Sequence, residues 1–229
     1  MKKLYATDFD KTFYINENDL KNNMELVGKF RDKGNIFSII TGRGAESFDV
    51  VKKQFDLKYD YLALDHGAII LDKDDNLIKT YFIDKSIIDE LIINLELEKS
   101  TINYFCNTNR VVDSNNKCLT KICVKYNESE TERIYNKIKF KYSCVNIYKI
   151  SDVCIEIISK ETNKLNSVKI ISELENISRE NVVVSGDGES DIDMIKYYNG
   201  YKMIDSVEDL RKINVKCVES VSSILEELI

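Results

Sequence analysis

Short apolar runs alternate with amphipathic stretches through the first third of the chain: Lys3 to Thr7, Asp19 to Lys33, Asn35 to Ile40, Ala45 to Phe55 and Tyr61 to Leu64. That rhythm predicts β-α-β-α-β. Gly34 stands where a helix C-terminus needs a left-handed residue, so the first helix should stop there, just before the strand Ile36 to Ile40. Gly67 to Leu71 and Leu77 to Phe82 flank the polar cluster Asp72 to Asn76 and predict a hairpin or turn. From Asp84 the pattern changes. A helix to about Lys99 precedes strands near Ile102 to Asn107, Arg110 to Asp113 and Leu119 to Tyr126; a helix Glu128 to Lys141 precedes strands near Val145 to Lys149 and Val153 to Ile158. Repeated helix-then-strands units predict an open antiparallel sheet with helices on one face. Alternation then resumes with a helix Lys164 to Asn176, a strand Val182 to Ser185, a helix Asp191 to Tyr198 and a last helix Val221 to Ile229. The expected architecture is α/β: a discontinuous, Rossmann-like parallel-sheet core over residues 1–82 and 160–229, with an α+β module inserted at 83–159.

Hydrophobic residues make up 43% of the 229 and charged residues 31%, the balance of an ordinary globular chain. The net charge of -6 opposes the attraction that brings a protein to nucleic acid or an anionic membrane, so neither partner is expected. No apolar run approaches a membrane span, and the start MKKLYATDFD puts an acid where a signal peptide needs apolar residues, which points to the cytoplasm. Six cysteines without a CxxC pair, most within apolar or β-branched runs, are expected to be reduced packing residues. The single histidine, His66, excludes a three-histidine zinc site and disfavours a Ser/His/Asp triad. Chemistry is left to carboxylates, hydroxyls, lysine and a hard metal. Nothing in the sequence sets an oligomeric state.

Five of the eight glycines lie in three loops that each follow a strand-like run: Gly42 and Gly44 in TGRG, Gly67 in DHGA, Gly186 and Gly188 in SGDGESD. Such loops let backbone approach a ligand, and as a set they suggest one shared site. In parallel α/β sheets ligands gather beyond the carboxyl ends of the strands. Those ends carry Asp8, Phe9, Asp10, Lys11 and Thr12, then Thr41, Gly42 and Arg43, then Asp187, Glu189, Ser190 and Asp191. Asp8 and Asp10 are two apart, and an extended backbone would turn both to one space. With Asp187 and Asp191 added, repulsion among the acids calls for a divalent cation, and Mg2+ suits carboxylates with water and phosphate oxygen best. Singly, each residue also has an ordinary role: acidic pairs after strands make solvated turns, Thr41 a cap, Lys164 a surface helix lysine and Arg43 a surface ion pair.

In combination, DFDKT near the amino terminus, ITGR after the second strand, Lys164 opening a helix and GDGESDIDM after the final core strand resemble the four motifs of the haloacid dehalogenase superfamily. The nearest likeness is to its Cof-type phosphatases, with an α/β (type II) cap between the second and third motifs; the cap region matches in architecture alone. The resemblance implies a Mg2+-dependent phosphatase of a small phosphorylated metabolite. Asp8 would be the nucleophile that forms an aspartyl-phosphate, and Asp10 the acid and base. The Asp8 carboxylate, the Asp10 backbone carbonyl, Asp187 and Asp191 would hold the metal. Thr41 and the backbone N–H groups of Phe9 and Gly42 would bind phosphoryl oxygen, Lys164 would supply fixed positive charge, and Arg43 would steer the substrate. Three positions depart from the pattern: Ser190 replaces the usual asparagine, His66 replaces the asparagine common before Gly-Ala, and Lys11 takes the place of a frequent glycine. Two rivals stay open. A phosphomutase would keep all four motifs, and a phospho-signalling or binding module would combine similar residues without turnover.

Overall fold

The computed structural model describes every residue except 109, 110, 113–115 and 117. Leu4–Thr7 (β1) is a fully buried strand whose neighbours face opposite ways: Tyr5 packs into one apolar cluster, Leu4 and Ala6 into another. That double burial is why the strand reads as a continuous apolar run. Glu17–Asp32 (α1) follows, opened by the Asn16 side chain, which accepts from the amides of Asn18 and Asp19, with Glu17 and Asp19 in its first turn. It ends as expected at Gly34, whose φ is 81°. Ile36–Ile40 (β2), Ala45–Phe55 (α2) and Tyr61–Leu64 (β3) complete the first units. Ile69–Asp72 (β4) and Leu77–Thr80 (β5) form a hairpin, with β4 antiparallel to both β3 and β5.

Ile88–Leu95 (α3), Ile102–Cys106 (β6), Val111–Val112 (β7), Lys121–Lys125 (β8), Glu128–Lys141 (α4), Val145–Ser151 (β9) and Cys154–Ser159 (β10) build a second sheet in the order β7-β6-β8-β10-β9, antiparallel throughout. The chain returns through Lys164–Leu174 (α5), Val182–Gly186 (β11), Ile192–Tyr198 (α6), Tyr201–Met203 (β12), Glu208–Arg211 (α7), Lys216–Val218 (β13) and Val221–Leu228 (α8). The large sheet runs β13-β12-β11-β1-β2-β3-β4-β5, parallel from β13 to β3. Helices α1, α2 and α8 cover one face and α5, α6 and α7 the other. The chain moves outward from β1 through β2 and β3 on one side and from β11 through β12 and β13 on the other. The switch point, where an open α/β sheet leaves a crevice, therefore lies at the carboxyl end of β1.

Several expectations need correction. The helix drawn from Asp84 to Lys99 is shorter and is broken at Glu96, whose φ of 51° ends α3; its carboxylate gathers Arg133 at 2.5 Å and Lys137 at 2.8 Å. Helix α6 begins one residue later than expected, at Ile192, behind a tight 3-10 turn of Glu189–Asp191. Strands β12 and β13, three residues each, carry no readable alternation and were not foreseen. The expected strand Arg110 to Asp113 is described only at Val111–Val112, its two ends lying outside the described residues. All six cysteines are free thiols; Cys106, Cys123 and Cys154 are buried, whereas Cys144 and Cys217 are exposed and do not pack.

Candidate active site

Four of the residues singled out in the sequence meet at the switch point. Asp8 directly follows β1, Asp187 and Asp191 follow β11, and Lys164 is the first residue of α5, whose amino end is fixed by Asn163 accepting from the Asn166 amide. The Lys164 ammonium donates to Asp8 Oδ1 at 2.5 Å and to Asp191 Oδ1 at 2.7 Å. One ligand oxygen each from Asp8, Asp187 and Asp191 lies within 4.8 Å of the others. Lys164 is 2% exposed and Asp8 6%, so this is buried charge. Asp191 also closes its own loop, since its Oδ2 accepts from the amides of Asp187 and Gly188 at 3.1 and 2.9 Å. Asp187 accepts from the Thr12 hydroxyl at 3.0 Å, a contact that no spacing in the sequence signals.

Three carboxylates against one ammonium leave two negative charges uncompensated. Burial, supported by Asp191 and Asp187 against the opposing Lys164, holds the Asp8 carboxyl well above the usual carboxylate range. Burial and Asp191 raise Asp187 in the same sense. Burial works against the Lys164 ammonium, but Asp191 and Asp8 more than offset it and keep it charged. A surplus of two charges on hard oxygen donors matches one divalent cation with a preference for oxygen.

Asp10 is differently placed. It lines the same cavity as Asp8, yet its carboxylate stands outside the acidic cluster, paired to Arg43 Nη2 at 2.6 Å and Nε at 2.8 Å. The expectation that both carboxylates crowd one small space is thus met only at the scale of the cavity. The strand ends at Thr7, and beyond Asp8 the chain turns, Asp10 bridging to Tyr14, so the alternation that would align the two carboxylates does not continue. Arg43 also stacks on Phe9, its guanidinium carbon 5.4 Å from the ring centre, and the hydrogen bond to Asp10 raises its proton affinity. Phe9 itself is fully buried against Phe13, Tyr14 and Phe48; burying such a ring contributes about 1.5–3 kcal/mol, which anchors the loop between Asp8 and Asp10. Thr41 is buried, and its Oγ1 accepts from the Arg43 amide at 3.1 Å, so the hydroxyl keeps its own proton to donate. Gly42 and Ser190 line the cavity.

The cavity measures about 770 Å³ and lies between the two sheets. Its far wall is the open face of the second sheet. Alternate residues Lys121, Cys123 and Lys125 of β8 line it, while Ile122 and Val124 turn the other way into an apolar cluster beneath α3 and α4. Cys106, Cys154 and Glu156 come from the neighbouring strands.

Two of the departures from the family pattern, Lys11 and His66, find local reasons. Lys11 has a φ of 61° and is exposed, so the backbone there takes the left-handed form that favours glycine. Asp65 and His66 have φ values of 49° and 55°, a region where asparagine, aspartate and histidine are all enriched. The His66 ring lies over Gly42 so closely that a Cβ on Gly42 would stand 2.5 Å from the ring. Gly42→Ala should therefore push the ring aside and lower thermal stability by about 1–3 kcal/mol, the range for overpacking, with activity falling alongside. An unchanged melting temperature and rate would show that the contact carries no consequence.

The chain was compared with known proteins. A family model described as haloacid dehalogenase-like hydrolase matches residues 5–117 and 106–223. A protein of Buchnera aphidicola subsp. Baizongia pistaciae, provisionally named a phosphatase, is 25% identical over 97% of this chain and 94% of its own. Among solved structures, a haloacid dehalogenase-like hydrolase from B. subtilis superposes with a TM-score of 0.85 at 15% identity, covering 99% of this chain and 100% of that one. A subclass IIB sugar phosphatase of the same superfamily superposes with a TM-score of 0.80 at 16% identity, over 100% of both chains. The structural likenesses establish the α/β fold, and the family match over most of the sequence establishes that this chain belongs to the haloacid dehalogenase-like hydrolases.

Proposed function

We propose that the chain is a phosphatase that removes the phosphoryl group of a small phosphorylated metabolite, a sugar phosphate or similar phosphomonoester, with Asp8 as nucleophile and Mg2+ as cofactor. Residues 1–82 and 160–229 act as the catalytic core and 83–159 as a cap that closes over the substrate. The observation that carries this reading is the buried group Asp8, Asp187, Asp191 and Lys164 at the end of β1, opening into a cavity of about 770 Å³. The names of the relatives support it: a sugar phosphatase among the structural neighbours and a phosphatase among the curated ones.

The acidic cluster fits the metal. Asp8, the Asp10 carbonyl and Asp187 would hold Mg2+, with Asp191 in support, and the ion would offset the charge that meets when carboxylate and phosphate approach. Asp8 attacks phosphorus in line and forms an aspartyl-phosphate, which divides one hard displacement into two. The free Thr41 hydroxyl and the amides of Phe9 and Gly42 take phosphoryl oxygens, while Lys164 holds the Asp8 carboxylate in position and supplies charge. Asp10 protonates the departing alkoxide and then accepts a proton from the attacking water, turning from Arg43 as it does so. Arg43, released from Asp10, faces the same cavity and draws the anionic substrate in. Ser190 reaches phosphate with a hydroxyl that is shorter than an amide.

The test is a panel of small phosphomonoesters assayed for free phosphate with Mg2+ and with chelator. Release is expected only with the metal. Hydrolysis that survives chelation would sink the proposal, and an isomerised sugar phosphate or a stable phospho-Asp8 in place of free phosphate would favour the phosphomutase or signalling rivals.

No helix among the described residues is long and apolar enough to cross a membrane.

A further inference from the structure

The cavity wall opposite Asp8 contains a polar group that the phosphatase chemistry does not use. Lys121 of β8 donates to the Gly42 carbonyl at 2.5 Å and pairs with Asp65 at 3.2 Å and Glu156 at 3.0 Å. The ammonium thus hydrogen-bonds one backbone carbonyl and sits between two carboxylates that balance its charge. Asp65 is fixed in turn by the Thr120 hydroxyl at 2.7 Å. Glu156 of β10 gives its Oε1 to Lys121 and its Oε2 to His66 Nε2 at 2.5 Å. A carboxylate accepts and does not donate, so Nε2 carries the proton. Burial lowers the proton affinity of His66 against the pull of Glu156, which favours the neutral ring with Nδ1 as an acceptor. That Nδ1 is buried and has no hydrogen-bond partner among the described residues. Glu156 retains lone pairs on both oxygens, and its side chain, 12% exposed, lines the cavity.

Beside Gly42 this wall therefore offers the Glu156 oxygens and His66 Nδ1 as acceptors, and its cation there, Lys121, is already paired. It also lies beside the expected phosphoryl position: His66 packs on Gly42, and Lys164 is near enough to act on the His66 charge. Two further lysines of the second sheet line the cavity. Lys149 is committed to Glu132 at 3.0 Å and Asp152 at 3.3 Å. Lys125 stands opposite Cys154 on the same face, two positions along the strands from Glu156 and on the side away from Lys121.

We propose that Glu156, oriented by Lys121 and His66, is a specificity-determining residue that reads the part of the leaving group next to the phosphoester, accepting hydroxyl or ammonium donors and rejecting a carboxylate or second phosphate. The reading rests on the phosphatase proposal for where the phosphoryl end sits. It goes beyond that proposal in naming which phosphomonoesters are taken and which are refused. A second anionic group held against Glu156 would meet a carboxylate whose neighbouring cation, Lys121, is already shared with Asp65 and the Gly42 carbonyl, and like charges brought together at a desolvated site weigh heavily against binding.

Three probes of one length, differing at the second carbon from the ester oxygen, separate the cases: phosphoethanolamine, 2-hydroxyethyl phosphate and 2-phosphoglycolate, which carry an ammonium, a neutral hydroxyl and a carboxylate. Each is measured twice, as kcat/KM for phosphate release with Mg2+ on the parent enzyme and as calorimetric Kd on Asp8→Asn, which needs no turnover. Both rankings should place the amine at or above the neutral alcohol and the carboxylate about tenfold or more below it. Glu156→Gln should shrink the gap between neutral alcohol and carboxylate several-fold in both measurements. Equal use of the carboxylate by the parent enzyme overturns the inference whether or not the variant folds, as does a gap untouched in a folded Glu156→Gln, or no binding of any probe. If Asp8→Asn keeps the binding order while the parent releases no phosphate, the phosphatase reading fails and the acceptor subsite stands.

Discussion

Asp8→Asn is expected to reduce phosphate release on the order of 10³-fold or more, because an amide cannot form the acyl phosphate through which the reaction is proposed to pass. The same change should leave the fold intact. In the parent, three buried carboxylates face a single ammonium, and burial already disfavours the charge on Asp8. A neutral side chain of the same shape relieves repulsion with Asp187 and Asp191, so the melting temperature without metal should hold or rise. Two measurements on one variant, phosphate release with Mg2+ and thermal unfolding with chelator, thus separate a reacting group from a structural one. A rate within tenfold of the parent would remove Asp8 from the role of nucleophile.

Lys164→Met is expected to act on stability as strongly as on rate. Lys164 is 2% exposed and joins Asp8 to Asp191 at 2.5 and 2.7 Å. Its removal strands two buried carboxylates, and breaking a buried pair by deleting one partner costs about 3–5 kcal/mol. In a chain of this size that corresponds to a fall in melting temperature on the order of 10 °C. The cluster then holds a surplus of three negative charges, so Mg2+ should raise the melting temperature of the variant more than that of the parent. A variant that melts with the parent in chelator, or that gains no more from the metal, would show that Lys164 does not balance this charge. Phosphate release should fall with it, since Asp8 loses the partner that positions it.

Much of the molecule is legible along the chain because its signals are local. α2 and α4 run from Ala45 to Phe55 and from Glu128 to Lys141, as their apolar spacing and polar ends predict. β1, β2 and β3, covered on both faces, appear as unbroken apolar runs. Asp8, Thr41, Lys164 and Asp187 each stand at the end or start of such an element, so their place in the fold follows once the elements are ordered. The weak points are equally local. β12 and β13 are too short to show a period, and Glu96 adopts a left-handed backbone that no residue type announces.

By itself the sequence determined that the chain alternates strand and helix around an inserted module, and that acids, a hydroxyl and a lysine sit at the ends of its parallel strands. These follow from periodicity and spacing, which short stretches of chain carry whatever their surroundings. Only the tertiary structure decided that Asp10 leaves the acidic cluster for Arg43, that Thr12 holds Asp187, and that Lys121 and Glu156 meet His66 across the cavity. In the strand Lys-Ile-Cys-Val-Lys the two lysines occupy the polar face of an ordinary alternating pattern, and alternation tells which residues share a face without telling what that face meets. Contacts between residues 90 or more positions apart, such as His66 with Glu156, depend on how the two sheets pack, and packing is set by the whole molecule.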